Sequence, residues 1–233
     1  MAVVVLPEGQ QRSGKQGGIV WSRNRSGAYV RNRAVPVNPN TDRQVAVRNL
    51  VRGLAIAWQT VLTQDQRDGW DLYADNVVWK GVLGQDVTLT GLNHFIRSNT
   101  PRLLCSVARV DDAPGVFNLT EAEQSLGCSA SEATQQLIVT FDDTAAWCDE
   151  DDAFQVVYMG IPKNPSIKFF GGPWRQIACI LGDAITPPAS PAPGAGTPGW
   201  PFVAGQRIWI RTRIGRADGR VSEFARTNFL SIA

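Results

Sequence analysis

Residues 206–214 read Gln-Arg-Ile-Trp-Ile-Arg-Thr-Arg-Ile, and two kinds of side chain alternate strictly along them. Ile208, Ile210 and Thr212 fall on one side of an extended chain, whereas three arginines and a tryptophan fall on the other. Because successive side chains of a β-strand point to opposite faces, this pattern predicts a strand with one apolar and one basic face. It places the C-terminal half of the chain among antiparallel β structures.

Six further runs share this strand character, and clusters of turn-forming residues separate them. They lie at residues 104–110, 135–141, 153–159, 174–181, 220–224 and 228–232. A loop rich in proline, glycine, alanine and serine interrupts the series at residues 184–201. Many short strands with frequent turns are typical of a sandwich. We therefore predict an antiparallel β-sandwich over residues 102–233, and its architecture resembles immunoglobulin and fibronectin-III domains.

Helical signals precede the strands, in residues 41–101. Thr41 with Gln44, and Thr63 with Gln66, match the capping box that begins a helix. Apolar residues recur every three or four positions after Thr41, and two or three residues separate the two helices, which predicts a helical hairpin. A third short helix is predicted over residues 91–99, ending before a proline. The predicted fold class is therefore α+β.

Residues 1–40 are predicted to form an extended basic arm. Two apolar runs, at residues 19–21 and 28–30, flank a turn near Gly27 and indicate a β-hairpin. An isolated hairpin is marginal in water, so we expect the arm to lie on another surface, with residues 1–18 mobile or ordered only on a partner. The predicted partner-binding residues are Trp21, Arg23, Arg25, Tyr29, Arg31 and Arg33.

Charge is unevenly distributed along the chain, although the total is only +2. Residues 1–64 carry a net charge of +7, residues 65–160 carry −11, and residues 161–233 carry +6. Blocks of opposite sign steer association, so we interpret them as complementary contacts between copies or between blocks. Chance clustering on solvated surfaces is the alternative. Binding of nucleic acid by the arm is a less favoured prediction, because such proteins usually carry a larger positive charge.

Residues suited to catalysis form no recognisable motif. His94 is the single histidine, and we interpret it as a packing or helix-surface residue. The sequence contains no nucleophile elbow, dinucleotide fingerprint or Walker A pattern. The acidic runs at residues 142–143 and 149–152 lack calcium-loop spacing, so solvated loops are favoured over Ca²⁺ ligands, and no specific carboxylate pair points to glycoside hydrolysis. We therefore predict no enzymatic activity, no cofactor and no metal.

The four cysteines and the apolar segments bear on the compartment. Cys105, Cys128, Cys148 and Cys179 form no CxxC pair, which argues against zinc. The N-terminal segment is a poor signal peptide, so reduced thiols are predicted, and disulfides formed after release from a cell are the alternative. No run of eighteen apolar residues occurs, so no membrane span is predicted.

A spaced pattern of polar and aromatic residues runs through the arm and the first two helices. It comprises residues 22–41 and then Gln44, Arg48, Trp58, Leu62, Thr63, Gln66, Arg67, Trp70, Tyr73 and Ala74. This pattern resembles the N-terminal module of an uncharacterised protein family associated with phages and prophages. The family has no assigned enzymatic activity. The resemblance implies a virion component that is assembled in the cytoplasm of a bacterial host.

The arm, the charge blocks and this resemblance predict a structural component of a tailed-phage-like virion. The most specific expectation is a capsid cement or decoration protein that binds other capsid subunits and forms a homo-oligomer through its arm. A head–tail or tail component is the first alternative. A carbohydrate- or surface-binding module that exposes Trp174, Trp200 and Trp209 is the second.

Overall fold

The computed structural model describes residues 2–3, 13–24, 27–35, 37–80, 86–192 and 199–233. The described residues form three helices and antiparallel sheets, so the predicted α+β class is confirmed. The chain divides into two compact units, Met1–Val45 and Ala46–Ala233.

The N-terminal unit contains a four-stranded antiparallel sheet in the order β1-β4-β3-β2. Its strands are β1 (Ala2–Val3), β2 (Gly14–Gln16), β3 (Ile19–Asn24) and β4 (Gly27–Asn32). The hairpin of β3 and β4 is therefore confirmed. Gly17, at a φ of +58°, makes the tight turn that pairs β2 with β3. A small sheet thus replaces the extended arm, and the expectation that residues 14–16 order only on a partner is wrong.

The three helices are α1 (Asp42–Thr60), α2 (Gln64–Asn76) and α3 (Gly91–Leu104). Both predicted capping boxes are present. Thr63 Oγ1 accepts from the Gln66 N–H at 3.3 Å, and the Gln66 side chain accepts from the Thr63 N–H at 3.0 Å. Residues 61–63 connect α1 to α2, and α2 packs chiefly against α3. The buried cluster that the three helices share consists of Leu54, Leu62, Trp70, Tyr73, Val77 and Phe95.

The third helix continues past Pro101, so its predicted end is wrong. A proline removes one backbone donor, and that loss is tolerated here because side chains tie down the residues that follow. Arg102 donates to the carbonyl of Ala108 at 2.8 Å, and Asn99 donates to the carbonyl of Val110 at 2.9 Å. The strand predicted at residues 104–110 is consequently a helix end followed by an irregular segment.

Two small antiparallel pairs and one larger sheet complete the second unit. The larger sheet has the order β10-β9-β11-β12. Its strands are β9 (Phe154–Gly160), β10 (Trp174–Leu181), β11 (Arg207–Gly215) and β12 (Ala225–Leu230). The pairs are β5 (Trp79–Lys80) with β6 (Asp86–Val87), and β7 (Gly127–Ser131) with β8 (Gln136–Thr140).

Besides the run at residues 104–110, two predicted strands differ from the structure, and one observed strand of residues 102–233 was not predicted. The run at residues 220–224 contributes only a bridge at Val221, because β11 ends at Gly215 and a turn that includes Gly219, with a φ of +94°, brings Val221 back beside Gly215. The last strand begins at Ala225 rather than at residue 228. Strand β7 was not predicted, because its Gly-Cys-Ser-Ala-Ser sequence lacks the large β-branched side chains that signal a strand.

Cross-strand register gives the larger sheet two distinct faces. The apolar face contains Val157, Met159, Ile208 and Ile210, all 0 % exposed, which pack against residues of β7 and β8. We call the opposite side, which carries Arg211 and Arg213, the basic face. The strict alternation predicted for β11 is therefore confirmed. The antiparallel architecture is established, and the immunoglobulin-like sandwich stays a prediction.

A disulfide joins Cys105, directly after α3, to Cys179 of β10. The Cα atoms are 5.5 Å apart, which lies within the range of disulfides. The prediction of reduced thiols is wrong for this pair, whereas Cys128 and Cys148 form no disulfide in the described chain. Sequence spacing gave no sign of the bond, because 74 positions separate the two residues.

Candidate functional site

The predicted partner-binding residues lie on both sides of the N-terminal sheet. In an antiparallel pair, directly opposite residues share a face and successive residues alternate. The register of β3 and β4 therefore puts Trp21 and Arg23 on one face, and Tyr29 and Arg31 on the other. Each face carries one aromatic ring and one guanidinium group. The structure therefore does not bring these four side chains together on one face.

The two remaining members of the set lie outside this arrangement. Arg33 follows the end of β4, and its backbone N–H donates to the carbonyl of Gly18 at 2.8 Å. Arg25 lies outside the described residues.

The residues of the N-terminal sheet whose exposure the structure describes form no buried core. None of residues 13–23, 28–35 and 37–45 is buried. Its apolar side chains, among them Ile19, Val20 and Val30, are only half-buried. A sheet needs an apolar face packed against something to be stable in water. The role of this sheet therefore depends on which surface packs against its apolar side chains.

A second site candidate lies on the basic face of the larger sheet. Here Trp209 is only 6 % exposed and stacks on Phe170, with ring centroids 5.2 Å apart. The prediction that Trp209 is an exposed aromatic is therefore wrong. Trp174 and Trp200 are half-buried, and Arg175 lies 4.3 Å above the ring of Trp200. None of the three tryptophans predicted as exposed aromatics is therefore fully exposed.

Guanidinium groups and aromatic rings alternate along this face. The Phe224 ring lies between Arg211 and Arg213, whose Cζ atoms are 4.1 and 3.8 Å from its centroid. The Trp79 ring lies between Arg213 and Arg97, at 5.6 and 3.5 Å. Attraction between a cation and a ring face favours such stacking. We call this row of five residues the arginine ladder.

The arginine ladder concentrates positive charge that no ion pair of the described residues neutralises. Arg213 is 9 % exposed, and the Nε atoms of Arg211 and Arg213 have no hydrogen-bond partner. The ion pairs of the described residues involve none of the three ladder arginines. Burial, and then the nearby Arg97 guanidinium, lower the pKa of Arg213 to about 10. The group stays charged at neutral pH, at a cost in solvation.

An open groove of about 400 Å³ lies beside the ladder. Its polar lining comes from Asn93, Arg97, Thr100, Tyr158 and Arg213. Its apolar lining consists of Leu89, Ile96 and Pro101. The alternation of β11 predicted a basic face, but no sequence pattern indicates that Arg97 of α3 joins it, since the two elements lie far apart in the chain.

His94 is a packing residue, in agreement with its interpretation from the sequence. It is 2 % exposed, and its ring centroid lies 5.1 Å from that of Tyr73 and 6.4 Å from that of Trp79. Burial, and then the charge of Arg97, lower its pKa to about 4. The imidazole is therefore neutral at physiological pH.

The acidic runs at residues 142–143 and 149–152 form hydrogen bonds and an ion pair with other loops. Asp143 accepts from the N–H of Ser190 at 3.1 Å, Asp151 accepts from the N–H of Ala184 at 2.9 Å, and Glu150 pairs with Arg216. Within the described ranges, no three His, Cys, Asp or Glu side chains are placed to hold a metal ion.

Comparison with known proteins gives no relative: no family model, curated protein or solved structure matches this chain. In the part of the chain that the structure describes, no helix combines the length and the apolar character needed to cross a membrane.

Proposed function

We propose that this protein is a structural component of a tailed-phage-like virion, in which it acts as a capsid cement or decoration protein. The proposed role is non-enzymatic. The observation that carries it is the N-terminal sheet, in which no residue of known exposure is buried. Four short strands without a core gain stability when a partner covers one face. We infer that the partner is another capsid subunit or a second copy of this chain.

The charge blocks support a partner of the same kind. Residues 1–64 carry a net charge of +7, and residues 65–160 carry −11. Complementary charge on different copies favours a homo-oligomer and speeds correct docking. This balance makes protein contact a better explanation of the arginines in the sheet than contact with nucleic acid.

The finer architecture belongs to the same proposal. We propose that the C-terminal half is an immunoglobulin- or fibronectin-III-like sandwich displayed on the particle. The packing of β7 and β8 over the apolar face of the larger sheet supports this. Residues 1–40 would then attach the protein to the particle, and the second unit would be the displayed body.

Mass spectrometry of purified particles tests the proposal directly. We expect the protein in stoichiometric amounts, and its absence from the particle would overturn the proposal. Separating heads from tails distinguishes a decoration protein from a head–tail or tail component. Deleting residues 1–40 should abolish incorporation and leave a folded body, because Ala46–Ala233 is compact in itself.

Two double variants of the full chain sharpen this test. Trp21→Ala with Arg23→Ala alters one face of the N-terminal sheet, and Tyr29→Ala with Arg31→Ala alters the other. Each removes one ring and one positive charge, so each is the matched control of the other. We expect one variant to reduce incorporation by at least about tenfold, since a few central aromatic and arginine residues dominate interfaces. Normal incorporation of both variants would show that neither face docks.

Nucleic acid remains the competing partner, and a salt titration separates it. Phosphate contacts release counterions, so binding through the arginines would weaken steeply between about 50 and 200 mM salt. We expect no such binding by the purified protein. Nucleic-acid binding that weakens steeply with salt would overturn the virion proposal in favour of a nucleic-acid-binding function.

A further inference from the structure

The three ladder arginines are an unbalanced group of charges. Arg97, Arg211 and Arg213 share two aromatic rings, and none forms an ion pair with a described carboxylate. The nearby acid Glu223 is exposed and acts only at longer range. Desolvated positive charges in close proximity oppose folding unless a negative charge compensates them.

Arg102 shows how the same fold treats an arginine that has a purely structural role. It is 2 % exposed, and its guanidinium donates to the carbonyls of Ala108 and Arg216, each at 2.8 Å. Arg213 is buried almost as deeply, and its Nε has no partner. The fold therefore satisfies the Arg102 guanidinium group internally and leaves the Nε of Arg213 without a hydrogen-bond partner beside an open groove.

The shape and lining of that groove define what could enter it. Its volume of about 400 Å³ lies in the range of small-molecule sites. Guanidinium groups recognise carboxylates and phosphates through charge-assisted hydrogen bonds. Leu89, Ile96 and Pro101 offer an apolar wall next to Arg97 and Arg213. A ligand that suits both parts carries an anionic head on an apolar body.

We propose that this groove binds a small molecule with one oxyanion group, a carboxylate or a phosphate, attached to an apolar body. The oxyanion accepts hydrogen bonds from Arg213 and Arg97, and the apolar body lies against Ile96 and Pro101. This site is independent of the proposed docking of residues 1–40, and either proposal can fail without the other.

Calorimetric titration of the full-length protein tests the site with four probes. Benzoate and phenyl phosphate combine an apolar ring with the two kinds of oxyanion, and their relative affinity identifies the preferred head group. Inorganic phosphate has the charge without the ring, and benzyl alcohol has the ring without the charge. We expect one of the first two to bind most tightly and benzyl alcohol to give no heat of binding.

Two variants and a control locate the binding. Arg213→Met keeps an unbranched apolar stem and removes the donors, and we expect about 10- to 100-fold weaker binding. Arg97→Met, at a less buried position, gives a second measurement if Arg213→Met fails to fold. Arg175→Met is the matched control, since Arg175 also lies over a tryptophan ring but does not line the groove. It should bind as the wild type does.

Three results would overturn the proposal. The first is the absence of binding by every anionic probe. The second is equal binding of benzyl alcohol and benzoate, which would show that charge has no part in recognition. The third is wild-type affinity in a folded Arg213→Met or Arg97→Met variant.

Discussion

Alternate residues of each strand point to the apolar and to the basic face of the larger sheet, yet the two faces are buried by different kinds of side chain. On the apolar face, Ile208 and Ile210 are 0 % exposed and pack against other aliphatic side chains. On the basic face, Arg213 is 9 % exposed and lies among aromatic rings. Alternation along a strand normally separates a buried face from a solvated one. Here it separates two buried faces. The apolar face is packed by aliphatic side chains, whereas the basic face contains arginine Nε atoms without hydrogen-bond partners.

The largest expected effect on stability comes from the disulfide between Cys105 and Cys179. Replacing Cys105 and Cys179 together by serine should lower the free energy of unfolding by about 4 kcal/mol, because the bond restricts a long loop of the unfolded chain. Chemical denaturation with and without a reducing agent measures this loss. The wild type should lose stability on reduction and the double variant should not. Equal stability of both proteins under oxidising conditions would contradict the prediction.

The next effect tests the apolar face. Ile210→Ala removes a fully buried side chain and leaves a cavity, so we expect a loss of about 3 kcal/mol in the free energy of unfolding. Ile185→Ala is the matched control, because Ile185 is 90 % exposed and its truncation should change stability by less than about 0.5 kcal/mol. A similar loss in both variants would show that burial on this face does not determine stability.

Helix α3 carries groups toward both the helical core and the basic face, and its histidine should give a smaller, pH-dependent effect. The pKa of His94 is about 4 in the folded chain, against an ordinary 6.5. Between these values the unfolded chain binds a proton that the folded chain does not. Stability should therefore fall as the pH drops from about 6.5 and level off near pH 4.

Thermal or denaturant unfolding across this pH range measures the His94 effect, with His94→Gln as the control. The variant cannot take up the proton, so it should lose less stability over the same range. Parallel curves for the two proteins would show that His94 does not cause the pH dependence.

The smallest expected effect has the opposite sign. Arg213→Met replaces a buried guanidinium group, whose Nε has no hydrogen-bond partner, by a shorter apolar side chain, and it also relieves repulsion from Arg97. We expect the unliganded protein to gain about 1 kcal/mol in the free energy of unfolding. Denaturant unfolding in an anion-poor buffer checks this. A clear loss of stability would mean that stacking on Phe224 and Trp79 outweighs desolvation.

Local patterns predicted the local structure of this chain well. The Thr63 capping box and the alternation of Ile208, Ile210 and Thr212 depend on neighbours within a few positions, and both are present. Strand β7 was missed because small residues carry little β signal. The helix beyond Pro101 was missed because the contacts of Arg102 that support it come from later residues.

The candidate site depends on contacts between residues that lie far apart in the sequence, and a local pattern does not predict such contacts. The basic side of β11 could be read directly from its sequence. The proximity of Arg97 and Trp79 to Arg213 could not, because the packing of α3 on the sheet creates it. For the same reason the bond between Cys105 and Cys179 was not predicted.

The disulfide also has a mechanical consequence. An extended chain gains about 3.5 Å for each residue released, so the 74-residue separation closed by this bond withholds about 260 Å of length when the protein is pulled from its ends. Strands β7, β8 and β9 lie inside the closed segment, whereas β11 and β12 lie outside it. A load applied through the termini would therefore peel β11 and β12 away, while the closed segment cannot be drawn out to its full length.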